Sequence, residues 1–330
     1  NLAGQRKQLE KFLDFNCGEN SAQIVNNYDW FKGFSFLEFI RDVGKHISVN
    51  YMLAKDSVKS RLENGMSFTE FSYQLVQGYD FYYLWKNDGV MLQMGGSDQW
   101  GNIVTGTELI RRKDAGEAFA LTTQLIKKSD GTKFGKTEGG NIWLDAKRTS
   151  PFKFYQFWLN ASDADAETYI KIFTLKTKAE IEALVAEHSA EPHLRKLQKA
   201  LAEDITTRVH SKNDLERAIE TTAILFGSSF EDFKKLSAEE VEAAFDETDI
   251  FTVDNSLFTA GTDPITILAE VSSIFPSKGE AKKNIQANAV SVNKTKITLE
   301  STFTSTDLLF GKFLLIQKGK KNYYLIKTNS

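Results

Sequence analysis

A single cysteine, Cys17, stands in 330 residues, so no intramolecular disulfide can form and no thiolate cluster can hold a metal. Four histidines are scattered along the chain, and with a single cysteine they do not suggest a structural zinc site. No apolar run is long enough to span a bilayer and no signal-peptide pattern is present, so a soluble cytoplasmic protein is the expectation. An excess of one charge is missing too. Lys and Arg number 41 against 44 Asp and Glu, a net of −3, so the chain as a whole gives no electrostatic reason to bind nucleic acid and any RNA site must be local. What is plentiful is apolar material, 41% of residues with 12% aromatic. That is enough for sizeable cores in a chain whose length suggests two or three domains.

The chain is organised around Val90-Met91-Leu92-Gln93-Met94-Gly95-Gly96-Ser97-Asp98-Gln99-Trp100-Gly101-Asn102. Val90 to Met94 reads as a short buried strand, the two glycines permit close approach to the backbone, and Ser97-Asp98-Gln99 reads as a helix start capped by Ser97. At the carboxyl end of a strand in an open α/β sheet, such a turn and helix N-terminus suit an anionic ligand. Asp98 and Gln99 would face that crevice. An ordinary capped strand-to-helix turn has the same spacing. A second stretch, Ser129-Asp130-Gly131-Thr132-Lys133-Phe134-Gly135-Lys136-Thr137-Glu138-Gly139-Gly140, reads as a mobile loop with two lysines three apart. It is not a P-loop, because Gly131 and Gly135 enclose three residues where that motif needs four.

Ser67-Phe68-Thr69-Glu70 reads as a capping box. The helix it starts carries Tyr73, Gln77 and Asp80 at i, i+4 and i+7, on one face. A phenol, an amide and a carboxylate there could grip a small polar ligand or form a solvated stripe. Before them, Asn1 to Phe15 reads as a helix with Leu9, Phe12 and Leu13 on one side, and Phe34 to Arg61 has helical periodicity with many large apolar residues. Leu121 to Lys127 reads as a strand. After them, Ser150-Pro151 is a helix start, Thr177 with Glu180 and Ser237 with Glu240 form further capping boxes, and nearly everything from Pro151 to Asp246 reads as helix. Glu247 to Asp263 is polar and linker-like. From Pro276 to Ser330, ten lysines face Glu280, Glu300 and Asp307, a local net of +7 by subtraction.

Gly95 to Asn102 resembles the Gly-Gly-Ser-Asp-Gln-Trp-Gly-Asn signature of bacterial-type tyrosyl-tRNA synthetases, a class I aminoacyl-tRNA synthetase family. Lys133-Phe134-Gly135-Lys136-Thr137 resembles that family's variant of the KMSKS loop. The resemblance covers essentially the whole chain, including Asn26-Asn27-Tyr28-Asp29-Trp30 and Phe68 through Asp80. One departure is the absence of the HIGH motif, which implies a chain lacking the N-terminal part of its catalytic domain. The fold implied is α/β. An incomplete Rossmann-like nucleotide-binding catalytic domain with dimer-type connective helices would cover residues 1–149, and an α-helical anticodon-arm domain 150–247. A linker at 248–263 and a small α+β RNA-binding module at 264–330 would follow.

The resemblance also implies an activity. The enzyme would activate tyrosine with ATP to tyrosyl-adenylate and pass the tyrosyl group to the 3′ end of tRNA-Tyr. L-Tyrosine and ATP are then substrates, Mg2+ accompanies the ATP, no resident metal site is expected, and the chain forms a homodimer. Tyr73 and Gln77 would hold the α-ammonium group and Asp80 would accept the tyrosine hydroxyl, with Gln93, Gln99 and Asn27 completing the tyrosine site. Gly96, Asp98, Phe134, Lys133 and Lys136 would meet the nucleotide, the two lysines and Thr137 being catalytic. Lys278, Lys282, Lys283, Asn293 and Lys294 lie in a segment resembling the small RNA-binding module first known from a ribosomal protein, and would meet RNA phosphates. Two alternatives stay open: a noncatalytic RNA-binding protein on a synthetase scaffold, and tryptophanyl-tRNA synthetase, which shares the fold and related loops.

Overall fold

The computed structural model describes the chain apart from residues 63, 133, 135, 138–139, 228–230, 246–248, 320–321 and 330, and describes the backbone alone at 57, 60, 136, 137, 140, 231 and 234. Two compact units result, Phe15–Lys127 and the remainder, Asn1–Asp14 with Lys128–Ser330. Helix α1 (Leu2–Leu9) opens the larger unit. It stops six residues short of the expected end at Phe15, so Phe12 and Leu13 follow in turns and stay 45% and 49% exposed. Lys11 Nζ donates to the Val209 carbonyl at 2.5 Å.

The smaller unit is a helical layer on a β-α-β element. Helix α2 (Tyr28–Phe31) comes first, and where the sequence suggests helical periodicity from Phe34 to Arg61 the chain forms the short helices α3 (Phe36–Asp42), α4 (Val49–Leu53) and α5 (Asp56–Leu62). Helix α6 (Phe68–Asp88) is long. Ser67 caps it, accepting from the Glu70 amide at 3.1 Å, but the reciprocal half of the expected capping box is not made because Glu70 pairs with Arg61. The helix ends at Gly89 in the left-handed conformation, φ +69°, which glycine adopts without a Cβ clash.

Strand β1 (Leu92–Gly96), helix α7 (Trp100–Asp114) and strand β2 (Phe119–Thr123) follow. The two strands are parallel, in register from Leu92 opposite Phe119 to Gly96 opposite Thr123, and α7 is the crossover that parallel neighbours require. Helices α6 and α7 pack almost backbone to backbone. A Cβ on Gly106 would lie 2.8 Å from Phe81 Cβ, and one on Gly78 would lie 3.1 Å from Thr105 Cγ2. Val43, Met52, Phe81, Leu109 and Ile110 form the core of this unit. The strand expected over Val90–Met94 is therefore shifted by two residues and takes in both glycines. It is also not buried, with Met94 61% exposed, because among the described residues β1 has one strand neighbour. The strand expected over Leu121–Lys127 begins two residues earlier and ends at Thr123.

In the larger unit, β3 (Lys136–Thr137) and β4 (Gly140–Asn141) pair antiparallel. Helices α8 (Pro151–Leu159), α9 (Asp163–Phe173), α10 (Lys178–Ala190), α11 (Lys196–Val209), α12 (Lys212–Phe226) and α13 (Ala238–Ala243) come next. Their starts are set by local chemistry. Ser150 accepts from the Lys153 amide at 3.3 Å ahead of Pro151, and the boxes Thr177 with Glu180 and Ser237 with Glu240 are complete on both sides. Helix α11 packs against both α8 and α9.

A sheet closes the chain. Strand β5 (Ile250–Val253) and helices α14 (Ser256–Thr259) and α15 (Lys278–Gln286) precede β6 (Val290–Val292), β7 (Thr295–Lys296), β8 (Phe313–Lys318) and β9 (Asn322–Thr328). The strand order is β5-β9-β8-β6-β7, with β5 parallel to β9 and the other pairs antiparallel. Part of the stretch read as a linker is thus a strand: Ile250 to Val253 hydrogen-bond along β9 despite their polar flanks. The apolar run Phe313-Leu314-Leu315-Ile316 is buried because both faces of β8 are covered. Leu314 and Ile316 pack with Phe258, Ile285 and Val290, whereas Phe313 and Leu315 pack with Leu225, Phe233 and Val241. The C-terminal sheet and the helices before it therefore share a core. Among the described residues, no helix is long and apolar enough to cross a membrane.

Candidate functional site

Asp80 is the most elaborated residue of the α6 face. Its carboxylate accepts from Trp30 Nε1 at 2.9 Å and from Asn27 Nδ2 at 3.3 Å. The Trp30 ring is held in turn by stacking on Tyr83, 4.5 Å between centroids and 16° between planes. Burial pushes the Asp80 carboxyl above the usual carboxylate range, and the two hydrogen bonds pull it part of the way back. A carboxylate has about four lone-pair positions, so Asp80 keeps acceptor capacity for a further donor. Asn27 thus has a definite partner. Trp30 was not singled out from the sequence, since its indole lies fifty residues from Asp80 and no spacing rule links them. Tyr73 is 58% exposed and Gln77 is half-buried. They share the helical face by spacing, while the hydrogen bonds of Asp80 run to Trp30 and Asn27.

At the end of β1, Ser97-Asp98-Gln99 forms one tight 3-10 turn and α7 starts at Trp100. Ser97 makes no capping bond, contrary to expectation, because the extra turn places Gln99 at the cap position. Gln99 Nε2 donates to Asp98 Oδ2 at 2.8 Å, and Asn102 Nδ2 donates to Gln99 Oε1 at 3.3 Å. Both glycines are needed for this packing: a Cβ on Gly96 would lie 2.6 Å from Asp98 Oδ1, and one on Gly95 would lie 3.2 Å from Ile103 Cδ1. Gln93 Oε1, on β1, is buried and meets no donor among the described residues. Lys55, unremarked in the sequence, braces the first turn of α7. Its ammonium donates to the Gly101 carbonyl at 2.5 Å and to the Thr105 hydroxyl, and it lies 4.8 Å from the centre of the Tyr51 ring. Burial lowers its pKa to about 8.

Lys133 falls outside the described residues. The backbone of Lys136 pairs with Asn141 and that of Thr137 with Gly140. Phe134, which the resemblance places at the nucleotide, has its ring among other aromatic side chains. It lies 5.0 to 5.9 Å from the rings of Tyr169, Phe173, Trp158 and Phe157, because a large apolar side chain is stabilised by leaving water for the α8 and α9 surface.

The C-terminal lysines divide by environment. Lys278 pairs with Glu270. Lys294 donates to the Leu225 carbonyl and sits 4.5 Å from the centre of the Tyr323 ring, with burial lowering its pKa to about 8. Asn293 ties its turn to two other segments, donating to the Asp307 carbonyl at 2.6 Å and accepting from the Leu315 amide of β8 at 3.1 Å. Both residues have positive φ, 47° and 66°, so they form the turn between β6 and β7. Lys312 and Lys327 share Glu242, and Lys318 donates to the Ile274 carbonyl at 2.9 Å. Lys282, Lys283 and Lys296 remain exposed. Lys296 was not among the residues expected to meet RNA.

Among the described residues, no group of three or more His, Cys, Asp or Glu is placed to hold a metal ion. A cavity of about 800 Å³ lies away from these residues, in the larger unit, where Lys128, Asn160, Asp165, Tyr169 and Phe226 form its wall together with Tyr323 of β9.

Two family models match the chain: tRNA synthetases class I (W and Y), over residues 1–227, and the tyrosine–tRNA ligase SYY-like C-terminal domain, over residues 240–326. The tyrosine–tRNA ligase of Cytophaga hutchinsonii is 58% identical over 332 residues, covering 100% of this chain and 78% of that protein. The tyrosine–tRNA ligase of Flavobacterium johnsoniae is 56% identical over 335 residues, covering 99% and 78%. Among solved structures, a C-terminally truncated mitochondrial tyrosyl-tRNA synthetase from Aspergillus nidulans superposes with a TM-score of 0.52 at 30% identity, over 68% of this chain and 64% of that one.

Proposed function

This chain belongs to the tyrosyl-tRNA synthetase family of class I tRNA synthetases, and we propose on that footing how its residues divide the work of a tyrosine–tRNA ligase. The reaction has two steps. A carboxylate oxygen of tyrosine attacks the α-phosphorus of ATP and pyrophosphate leaves; then a ribose hydroxyl at the tRNA 3′ end attacks the tyrosyl carbonyl and AMP leaves. Neither step needs a covalent protein nucleophile. The protein contributes positioning and charge.

The observation that carries the assignment is the half-buried Asp80 carboxylate, fixed by Trp30 and Asn27 and left with acceptor capacity. It accepts the phenolic hydroxyl of tyrosine. Tyr73 and Gln77, on the same helical face, hold the α-ammonium group, and Gln93 and Gln99 complete the amino-acid site. Gly96 lets the ribose approach the backbone and Asp98 accepts from its hydroxyls. Lys133, Lys136 and Thr137 stabilise charge that grows on the phosphates in the transition state. Mg2+ arrives on the ATP phosphates. Phosphate contacts to tRNA-Tyr fall to Lys282, Lys283 and Lys296, since Lys278, Asn293 and Lys294 already serve internal bonds. Exposed Phe36, Leu37, Val49 and Phe68, each at least 58% accessible, support a homodimer that covers them. The ligase works in the cytoplasm.

The test is amino-acid-dependent exchange of labelled pyrophosphate into ATP, run on the full-length protein with tyrosine, tryptophan and phenylalanine in parallel. Exchange driven by tyrosine alone is expected. Exchange driven by tryptophan, or none with tyrosine, would overturn the assignment.

A further inference from the structure

Helix α12 ends at Phe226, so the Leu225 carbonyl is one of the four that a helix C-terminus leaves without an intrahelical donor. The donor comes from the sheet. Lys294, in the turn between β6 and β7, gives its ammonium to that carbonyl and lies 3.4 Å from the Tyr323 hydroxyl, with the Tyr323 and Phe233 ring centres 4.5 and 5.7 Å away. A cation there also meets the negative end of the helix dipole. A second charged contact joins the sheet to the helices. Glu242 of α13 accepts from Lys327 of β9 and from Lys312, just before β8, the latter at 3.3 Å. The bond from Lys327 leads in holding the Glu242 carboxyl below the usual range, with Lys312 helping, while burial opposes them. Lys327 stands opposite Phe313 in the β8–β9 register, so it borders the apolar seam in which Phe313, Leu315 and Leu325 meet Leu225, Phe233 and Val241.

Burial of that seam draws the sheet onto the helices, but the hydrophobic effect is non-directional and leaves the sheet room to slide or turn. Hydrogen bonds from an ammonium are directional and stronger than neutral ones. We propose that Glu242 and Lys294 are positioning residues for tRNA binding: they fix the angle of the C-terminal sheet on α12 and α13, so that Lys282, Lys283 and Lys296 meet RNA as part of one preformed surface. The proposal rests on the reading of those three lysines as phosphate contacts given above. Preorganisation raises affinity by lowering the ordering cost of binding, without adding a phosphate contact. Its signature is therefore a change of tRNA affinity at constant salt slope. Charge alone predicts the reverse for Glu242, since losing an acid and freeing two lysines would strengthen RNA binding and steepen the slope.

The experiment uses the full-length protein, with tRNA-Tyr titrated at several salt concentrations and aminoacylation measured with tRNA varied. Glu242→Gln should weaken tRNA binding and raise the tRNA KM by about three- to tenfold, well short of the roughly 10²- to 10⁴-fold that avidity can supply, because the apolar seam keeps the sheet nearby. The salt slope, kcat and tyrosine-dependent pyrophosphate exchange should stay as they are. Lys294→Met should act in the same direction. Glu242→Asp, which keeps the charge, should recover most of the affinity, and Lys312→Gln tests the same anchor if Glu242→Gln does not fold. Tighter binding, unchanged affinity in a folded variant, or an altered salt slope would overturn the proposal. Lys282→Ala and Lys283→Ala, run alongside, separate the two readings. A lower slope for them with no effect of Glu242→Gln defeats the positioning role alone, and an unaltered slope for them defeats the phosphate reading on which it rests.

Discussion

Replacing Asp80 by alanine removes the acceptor of two protein donors, Trp30 Nε1 at 2.9 Å and Asn27 Nδ2 at 3.3 Å, and with it the acceptor assigned to the tyrosine hydroxyl. A hydrogen bond to a charged group contributes about 1.5–3 kcal/mol. At about 1.4 kcal/mol per decade, kcat/KM for tyrosine should fall roughly 10- to 150-fold. Phenylalanine should not share this loss, because in the wild type it leaves the carboxylate desolvated without a hydroxyl partner and the substitution removes that penalty. Rejection of phenylalanine by about 10⁵ is documented for tyrosyl-tRNA synthetases as a class, so one to two decades of it can be lost and measured. Asp80→Asn keeps the shape and controls for folding. The acid limb gives a second readout: burial raises the Asp80 pKa, so kcat/KM for tyrosine should fall as pH drops through that raised value. The sign for stability is opposite, because a carboxyl that binds its proton more tightly when folded gains stability as pH falls from the folded pKa to the unfolded one. Trp30→Phe removes a bond that lowers this pKa and should move the acid limb upward. Competing tyrosine and phenylalanine activation assays decide the matter; an unchanged ratio in Asp80→Ala would remove it from the specificity site.

Lys133→Ala and Lys136→Ala should each lower the adenylation rate with little change in tyrosine affinity, as expected for interactions made mainly in the transition state; lost tyrosine binding at an unchanged rate would make the stretch structural. Lys282→Ala and Lys283→Ala should each reduce the salt slope of tRNA affinity by about one, while Lys294→Met leaves the slope unaltered and lowers the melting temperature, its ammonium being spent on the Leu225 carbonyl. Gly106→Ala should destabilise the smaller unit by about 1–3 kcal/mol through overpacking, because the new Cβ lies 2.8 Å from Phe81 Cβ; thermal unfolding reads this directly.

Features that depend on neighbours in sequence could be read without coordinates. Ser150 ahead of Pro151 and the boxes at Thr177 and Ser237 act through donors three residues away, and their helices start where the pattern puts them. The βα junction at Gly95 and Gly96 was legible as a close approach for a similar reason, although the extra 3-10 turn removed Ser97 from the cap. Long-range choices were not legible. Trp30 reaches Asp80 across fifty residues, Glu70 leaves its box for Arg61, and the short strand Ile250–Val253 exists because β9 offers an edge. Charge counting located a basic C-terminal segment but could not tell which lysines it would spend internally. Lys278, Lys294, Lys312, Lys318 and Lys327 are each engaged by the protein, and only burial and geometry distinguish them from Lys282 and Lys283.

The proposed selection of tyrosine through Asp80 on the α6 face can be seen in a crystal structure of the full-length protein with L-tyrosine bound. The phenolic oxygen should lie about 2.5–3.0 Å from an Asp80 carboxylate oxygen, with the α-ammonium group within hydrogen-bonding reach of Tyr73 and Gln77. Tyrosine bound with its hydroxyl away from Asp80, or held outside this face altogether, would contradict the account.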